Sequence, residues 1–336
     1  DDAMTIADGG GVTFAQTATF SGDIDLAGSI DVDGTTNLDV VDIDGAANFA
    51  ADVTFADGAD IITASAGTSN FRAGVNAGNS IASGGNFNVL VGDEAGTALT
   101  TGDNNVALGY KALFTEDTGN RSVAIGDFSL QNQNNADSNY NTAVGYNSGL
   151  SVTTGVQNTL IGGTSGDALT DADFNVAVGY NALSSDTLGS RSVAIGYETL
   201  KAQNFTSATN SNNTAVGFHA GNDVTTGVNN TLIGAEAGDK ITTANSNTAV
   251  GQAALTASTT GANNVSIGYQ SLFDNTTGGS NAAIGYRALA NNTSADNNTA
   301  VGTDALFANT TGTGNSAVGM NALLANTTAD DNTALG

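Results

Sequence analysis

The side chains in this sequence that could perform nucleophilic or acid–base chemistry are few. His219 is the only histidine among 336 residues, and cysteine is absent. Thiolate catalysis and cysteine-bound zinc are therefore excluded. A catalytic triad would need His219 beside a serine and a carboxylate. Other copies of the repeat described below carry asparagine, lysine or alanine at this position, so we interpret His219 as a solvent-facing repeat residue.

Carboxylates dominate the charge of the chain. There are 33 Asp and Glu residues against 7 Lys and Arg, which gives a net charge of −26. This charge disfavours nucleic acid and anionic membrane surfaces as partners, and no apolar run is long enough for a membrane-spanning helix. Glycoside hydrolysis requires two acids close together in a cleft, whereas the acids of the repeat region are scattered and tryptophan is absent. We predict that the protein is not an enzyme.

One group of acids near the N-terminus could bind calcium, because aspartates there alternate with apolar residues. Clustered carboxylate oxygens are suitable Ca²⁺ ligands, and threefold symmetry could bring them together on an axis. No EF-hand loop or calcium-binding nonapeptide occurs, so a solvated acidic face is the favoured interpretation. No other cofactor or metal is predicted. The aspartates are Asp23, Asp25, Asp31, Asp33, Asp39, Asp42 and Asp44.

A short internal repeat organises most of the chain. Variants of Asn-Thr-Ala-Val-Gly recur 15 times, and 12 of the 14 spacings between their glycines are 17 residues. This period is too short for a helical repeat and fits one coil of a β-solenoid. We predict an all-β, fibrous protein with a parallel β-roll of about 15 coils. The repeat glycines are Gly92, Gly109, Gly126, Gly145, Gly162, Gly179, Gly196, Gly217, Gly234, Gly251, Gly268, Gly285, Gly302, Gly319 and Gly336.

Residue types at fixed positions predict how a coil is built. The residue before the repeat glycine is Val, Ile or Leu and the one before that is usually Ala, so we expect the large side chain inside and the small one outside. A leucine four residues after the glycine should add to the core. An asparagine four residues before it predicts a stacked amide ladder or a repeated turn. The glycine itself indicates a bend or a close backbone approach.

Two features of the repeat region could bind a ligand. Tyrosines that follow the glycine form a stripe, which could bind glycans, although packing between coils or chains is the favoured interpretation. Two insertions, at 129–140 and 199–212, interrupt the period, and such loops often carry binding residues. Tyr140 and Phe205 are the contact residues predicted there, with drift without function as the alternative. The stripe comprises Tyr110, Tyr146, Tyr180, Tyr197, Tyr269 and Tyr286.

The first part of the chain lacks the repeat and carries short alternating strands instead. These strands are too short for a stable monomeric sheet, so a shaft made of several chains is expected. The predicted organisation is a short-strand shaft at 1–70, a junction at 71–87 and the β-roll at 88–336. The last repeat has no cap, whereas solenoid ends normally carry one. We therefore expect either a fragment or another domain or subunit that covers this end.

The Ser-Val-Ala-Ile-Gly copies at 122–126 and 192–196 resemble the head repeats of trimeric autotransporter adhesins. This resemblance implies trimers of left-handed parallel β-rolls, with a longer loop per coil because the usual repeat is shorter. Together with T-T-N-L-D-V-V-D-I-D-G at 35–45 and D-G-A-D-I-I-T-A-S at 57–65, the chain looks more like phage tail fibres and virion appendages.

The resemblance implies a homotrimer located in the virion, with a role in host attachment or as a spacer. Its expected partners are copies of itself, other virion tail proteins and a glycan or protein receptor on the host cell. The alternative is a secreted or surface-anchored bacterial trimeric adhesin, or an extracellular matrix filament.

Overall fold

The computed structural model describes residues 65–336, which belong to one compact unit. All regular secondary structure in these residues is β-strand, without helices. The strands form a parallel β-solenoid, as the sequence predicts. Sixteen strands make one sheet in which each strand pairs in parallel with the corresponding strand of the next coil. The pairing is in register, so that Val144 lies beside Ile161 at the same repeat position.

The strands of this large sheet are each three residues long. They are β1 Phe71–Ala73, β2 Val89–Val91, β3 Val106–Leu108, β4 Val123–Ile125, β5 Thr142–Val144, β6 Thr159–Ile161, β7 Val176–Val178, β9 Val193–Ile195, β11 Thr214–Val216, β12 Thr231–Ile233, β13 Thr248–Val250, β14 Val265–Ile267, β15 Ala282–Ile284, β16 Thr299–Val301, β17 Ser316–Val318 and β18 Thr333–Leu335. Two further strands, β8 Gly189–Ser190 and β10 Thr209–Asn210, pair with each other beside the second insertion.

The repeat glycine that follows each strand allows the chain to bend there. Gly145 has a φ of 137°, a value that residues with a side chain rarely adopt. A Cβ atom on Gly145 would lie 2.5 Å from the carbonyl oxygen of Gly162 in the next coil. Both predicted reasons for the glycine, a bend and a close backbone approach, are confirmed.

The central residue of each strand faces the interior, which corrects one expectation from the sequence. Ala143 and Ala177 are completely buried, whereas the pre-glycine residues Leu108 and Ile161 are 43% and 38% exposed. The prediction that the large pre-glycine side chains fill the interior was wrong. Alternation along a strand establishes which residues share a face but not which face is inside. The interior is filled instead by the leucines four residues after the glycine, such as Leu183, whose predicted burial is confirmed.

Leucine occupies one of two interior positions in most coils, and the residue at the other position is then small. This arrangement limits changes in interior volume from coil to coil. Most coils combine a central alanine with a leucine four residues after the repeat glycine. Where the central residue is itself leucine, as at Leu90, Leu160 and Leu232, that later position is glycine. A Cβ atom on Gly166 would lie only 2.8 Å from Leu160 Cδ2. No coil carries a leucine at both positions, as close packing requires. Two coils have small residues at both, and a Cβ atom on Gly149 in one of them would lie within 2.9 Å of Leu130 and Leu160 of the neighbouring coils.

A ladder of buried asparagines runs along the roll, four residues before the repeat glycines. Asn247 Oδ1 accepts a hydrogen bond from the backbone N–H of Asn264 in the next coil at 2.9 Å. Its Nδ2 donates to the carbonyl oxygen of Gly261 at 3.0 Å. Each unpaired buried backbone group would cost about 1–3 kcal/mol, so one side chain prevents two such penalties. The predicted ladder is confirmed. Ser122 and Ser192 each take the place of one asparagine.

The described roll includes one coil before residue 88, where the sequence analysis places its start. Residues 71–87, expected to be a junction, contain β1, which pairs in register with β2. Asn70 and Gly74 stand at the ladder and glycine positions, but Phe-Arg-Ala replaces the usual strand sequence and obscures the repeat. The aspartates of the predicted shaft at 1–70, and the calcium site considered for them, lie outside the described residues.

Candidate functional site: an uncharged sheet face and its flanks

The outward-pointing residues of the large sheet form a long uncharged surface, which we call the outer face. It consists of the first and third residues of the sixteen three-residue strands. None of these residues is charged, although the chain contains 40 Asp, Glu, Lys and Arg residues. Ile233, Ile267 and Ile284 on this face are 39%, 38% and 40% exposed. At about 4.8 Å between neighbouring strands, the face is roughly 72 Å long.

The outer face is large enough to serve as a protein interface. With a width of about 11 Å, judged from three residues of strand and their side chains, its area is roughly 800 Å². A stable interface typically takes about 800 Å² from each partner. Apolar patches of several hundred Å² on soluble proteins usually mark interaction sites.

Five of the aromatic side chains that follow the repeat glycines stack on one another in two groups. Tyr180, Tyr197 and Phe218 occupy successive coils, with ring centroids 5.8 and 5.5 Å apart and nearly parallel planes. Tyr269 and Tyr286 repeat the arrangement at 5.5 Å. Stacked rings cover each other's faces, and a ring face is the surface on which a sugar would stack. For these five rings the geometry supports packing between coils, whereas Tyr110 and Tyr146 contact Phe128 edge-on, with interplanar angles of 80° and 81°.

His219 belongs to a small ion-pair network beside the aromatic stack. Its Nε2 lies 3.3 Å from Glu198 Oε2, and its ring stacks on Phe218 with centroids 4.0 Å apart. Lys201 Nζ donates to Glu198 Oε1 at 2.9 Å, which lowers the pKa of Glu198 and raises that of Lys201. No serine takes part in these contacts among residues 65–336, so the arrangement is not a catalytic triad.

A second row of exposed side chains, which we call the flank column, lies five residues before the repeat glycine. Its residues have φ near +60°, a left-handed conformation that Asn, Asp and Gly adopt readily and that bulky residues adopt at a cost. From residue 212 onward the column contains only Asn, Ser, Gly and Asp. Between residues 87 and 191 every column position except Asn104 carries a larger side chain, namely Phe87, Arg121, Tyr140, Gln157, Phe174 and Arg191.

The two contact residues predicted in the insertions lie in different environments. Tyr140 is 53% exposed and belongs to the flank column, with the guanidinium carbon of Arg121 5.5 Å from its ring centroid. Phe205 is only 6% exposed, and its ring packs against the backbone at Gly189. Phe205 therefore packs the second insertion onto the roll, whereas Tyr140 is accessible for contact.

A buried carboxylate, which the sequence analysis did not identify, anchors the first insertion. Glu116 accepts hydrogen bonds from the Gly119 N–H, Gln133 Nε2 and Asn139 Nδ2 at 2.7, 3.0 and 3.0 Å. Gln133 also donates to Ser122 and accepts from Asn141 Nδ2. Gln133 thus occupies the point at which Ser122 interrupts the asparagine ladder.

The second insertion repeats this network with Asp186 in place of glutamate. Asp186 accepts from the Gly189 N–H at 3.0 Å, from Gln203 Nε2 at 2.6 Å and from the Phe205 N–H at 3.0 Å. Gln203 in turn donates to Ser192. Both acids stand seven residues after a repeat glycine and 17 residues before a glutamine, and this shared spacing was the signal in the sequence.

The described part of the chain shows neither a metal-binding cluster nor a membrane-spanning helix. Residues 65–336 contain no group of three or more His, Cys, Asp or Glu side chains arranged to hold a metal ion. They contain no helix long and apolar enough to cross a membrane. Comparisons of the chain with protein-family profiles, curated protein sequences and solved structures found no match. The basis for inferring function is therefore the β-solenoid and its outer face.

Proposed function

We propose that this protein is a structural or adhesive fibre protein that associates with copies of itself through the outer face, as a homotrimer. The observation that carries the proposal is the absence of charge from a face sixteen strands long on a chain with a net charge of −26. A charged side chain in such a contact would lose its hydration, which is costly unless it is paired.

The periodicity of the outer face favours a second copy of the chain as its occupant. Its side chains form ridges and grooves that repeat at every coil, about 4.8 Å apart. A surface with the same period can follow this pattern along its whole length, and another copy of the roll provides one. Each coil has a thin core of small and single large residues such as Ala143 and Leu183. Burial of the half-exposed face would add to the stability of every coil.

The role that fits such a fibre is attachment to a surface or separation of two structures. Identical chains joined in one fibre multiply weak contacts by avidity. The sequence resemblance to phage tail fibres and virion appendages favours a location in the virion. Its partners would then be other tail proteins and a glycan or protein receptor on the host cell.

A bacterial trimeric adhesin or extracellular matrix filament is the second candidate, which the Ser-Val-Ala-Ile-Gly copies at 122–126 and 192–196 favour. Antibody-gold electron microscopy of the source material separates the two candidates. Gold on virus tails or fibres supports the virion role. Gold on cell surfaces or free filaments overturns it in favour of the adhesin.

Two matched variants test self-association through the outer face. Ile233→Glu with Ile284→Glu introduces charge on the face, whereas Thr260→Glu with Thr277→Glu adds the same charge at exposed positions outside it. We expect sedimentation to show monomers of the face variant and trimers of the control, both with unchanged β circular dichroism. Trimers of both variants, or monomers of the unmodified protein, would overturn the proposal.

A further inference from the structure

The flank column uses unfavourable residue types in only one part of the roll. Phe87, Tyr140 and Phe174 have φ of 58°, 51° and 60°, and they are 59%, 53% and 45% exposed. The later coils adopt the same backbone conformation with residues such as Asn229 and Asn263. The fold therefore does not require large side chains at this position.

Burial does not offset the backbone cost of these aromatic residues. Leucines such as Leu183 also have positive φ, but they are completely buried and fill the core. The flank aromatics instead expose half of their surface to solvent. Costly backbone conformations that burial does not offset are often found at ligand-binding sites.

Two arginines of the flank column lie against its aromatic residues. Arg121 and Arg191 lie over the rings of Tyr140 and Phe174, with guanidinium carbons 5.5 and 5.8 Å from the ring centroids. Neither arginine forms a salt bridge with a carboxylate among residues 65–336.

Two acids that directly precede column residues, each one coil before one of these arginines, already accept backbone hydrogen bonds. Asp103 and Asp173 accept hydrogen bonds from the backbone N–H groups of Asn86 and Val156, at 2.6 and 2.8 Å. Arg121 donates one hydrogen bond to Ser138 Oγ, and both arginines are exposed, so their guanidinium groups keep further donors for an external anion.

The spacing of these groups indicates a polymer with sparse negative charge. Arg121 and Arg191 stand four coils apart, or roughly 19 Å at the usual strand spacing. The positions between and beside them are aromatic or uncharged. A densely charged polyanion such as nucleic acid would meet the overall negative field of the protein. A sugar chain with occasional acidic groups offers apolar ring faces for stacking and anions for the arginines.

We propose that the flank column from Phe87 to Arg191 is a binding site for an extended acidic polysaccharide. Arg121 and Arg191 bind its acidic groups, and Phe87, Tyr140 and Phe174 contact its sugar rings. This inference rests on the proposed adhesive fibre function and names the ligand class and the surface.

The test uses the full chain and a fluorescently labelled oligosaccharide of gellan, in which one sugar in four carries a carboxylate, with binding measured by anisotropy. Arg121→Gln with Arg191→Gln should weaken binding by roughly tenfold or more, because both charge-assisted contacts are removed. Phe87→Asn, Tyr140→Asn and Phe174→Asn together should weaken it comparably and leave the fold intact, because later coils carry asparagine in the same conformation. Arg287→Gln, outside the column, is the control and should bind like the unmodified protein.

Competing polymers separate the possible ligands. Neutral dextran and polyglutamate should not displace the probe, whereas unlabelled gellan oligosaccharide should displace it. Absence of binding, equal loss in the Arg287→Gln control, or equal competition by polyglutamate would overturn the proposal, the last in favour of an acidic protein ligand.

Sedimentation of the same samples distinguishes this inference from the proposed self-association. Variants that dissociate the oligomer would show that the flank column is a subunit contact, which contradicts the assignment. An unmodified protein that binds the probe through the column as a monomer would refute the homotrimer while supporting the site.

Discussion

The early coils, from β1 to β11, and the late coils, from β13 to β18, build the same roll in different ways. The late coils add a second asparagine ladder seven residues after the repeat glycine, in which Asn292 donates to Asn275 Oδ1 at 2.7 Å and to the Ala295 carbonyl oxygen at 3.0 Å. The early coils place Glu116 and Asp186 at that position and attach insertions to them. The outer face and the first ladder continue through both regions, so these common elements define the fold, whereas the columns beside them are free to vary.

The repeat glycines should be equally sensitive in both regions, and we expect the largest effect there. Gly145 and Gly285 have φ of 137° and 139°, and a Cβ on either would lie 2.5 Å from the carbonyl oxygen of the next repeat glycine. Gly145→Ala and Gly285→Ala should each lower the free energy of unfolding by about 3 kcal/mol or more. The measurement is urea unfolding at one fixed chain concentration, because association contributes to stability.

Gly163→Ala is the control for this prediction. A Cβ at Gly163 would lie 3.4 Å from the ring of Tyr180, an ordinary contact distance. Its effect should be much smaller than that of the other two. A marked difference between the stability losses of Gly145→Ala and Gly285→Ala would show that the repeat glycines of the two regions do not have the same backbone conformation.

Substitutions seven residues after the repeat glycine should destabilise the early coils more than the late ones, because the early coils have buried networks around a carboxylate there. Gln133→Ala removes a donor from the buried carboxylate of Glu116, and we expect a loss of about 3 kcal/mol or more. Asn292→Ala breaks neutral hydrogen bonds and should cost about 1–3 kcal/mol. Urea unfolding measures both.

A double variant checks the cause of this difference. Glu116→Ala with Gln133→Ala removes the carboxylate as well as its donor, so its loss should be smaller than the sum of the two single losses. Additive losses would show that the two side chains do not act as one network.

The flank column should respond in opposite directions in the two regions. Phe87→Asn should raise the free energy of unfolding by about 1 kcal/mol, because asparagine tolerates the left-handed conformation better. Asn263→Phe, at the same repeat position in a late coil, should lower it by a similar amount. Thermal or urea unfolding of the two variants measures both changes in stability. A gain from Asn263→Phe would mean that aromatic packing along the column stabilises the roll.

The smallest effect should appear at Asp167, which has one carboxylate oxygen buried without a hydrogen-bond partner. Burial raises the pKa of Asp167 in the folded state above its usual value of about 3.9. The protonated carboxyl, which dominates at low pH, is therefore tolerated in the fold. The free energy of unfolding falls as the pH rises through the folded-state pKa, because the buried carboxylate then becomes charged. Asp167→Asn should be more stable than the unmodified protein at pH 7.

The pH dependence of the same substitution provides the check. The difference between Asp167→Asn and the unmodified protein should shrink as the pH falls toward 3. Asp239→Asn is the matched control, because Asp239 occupies the same repeat position but pairs with Lys240 at 2.9 Å. It should bring no gain at pH 7. A constant gain for Asp167→Asn at every pH would exclude titration as its cause.

The sequence was sufficient to predict features that depend on one position repeated in every coil. The ladder asparagines and repeat glycines recur at a fixed spacing, and each has one physical reason to do so. Which of the two alternating sets of strand side chains points into the interior could not be predicted, because Ala143 and Val144 alternate equally well in either orientation. The deciding side chain was Leu183 and its equivalents, which lie outside the strand and fill the interior.

Features that depend on contacts between coils were harder to infer. Phe205 resembles a surface residue because it lies in an insertion, yet the insertion folds back onto Gly189 and buries the ring. The pairing of Glu116 with Gln133 could have been suspected from its recurrence as Asp186 with Gln203. Only the structure shows that the acids are buried and that their donors include the backbone and side chains of the insertions.

The central claim is that the uncharged outer face joins copies of the chain, and the mass of the unmodified protein in solution tests it most directly. Sedimentation equilibrium across a range of chain concentrations should give a mass near three times the 33.2 kDa of the chain. A mass that stays at 33.2 kDa at every concentration would contradict the claim.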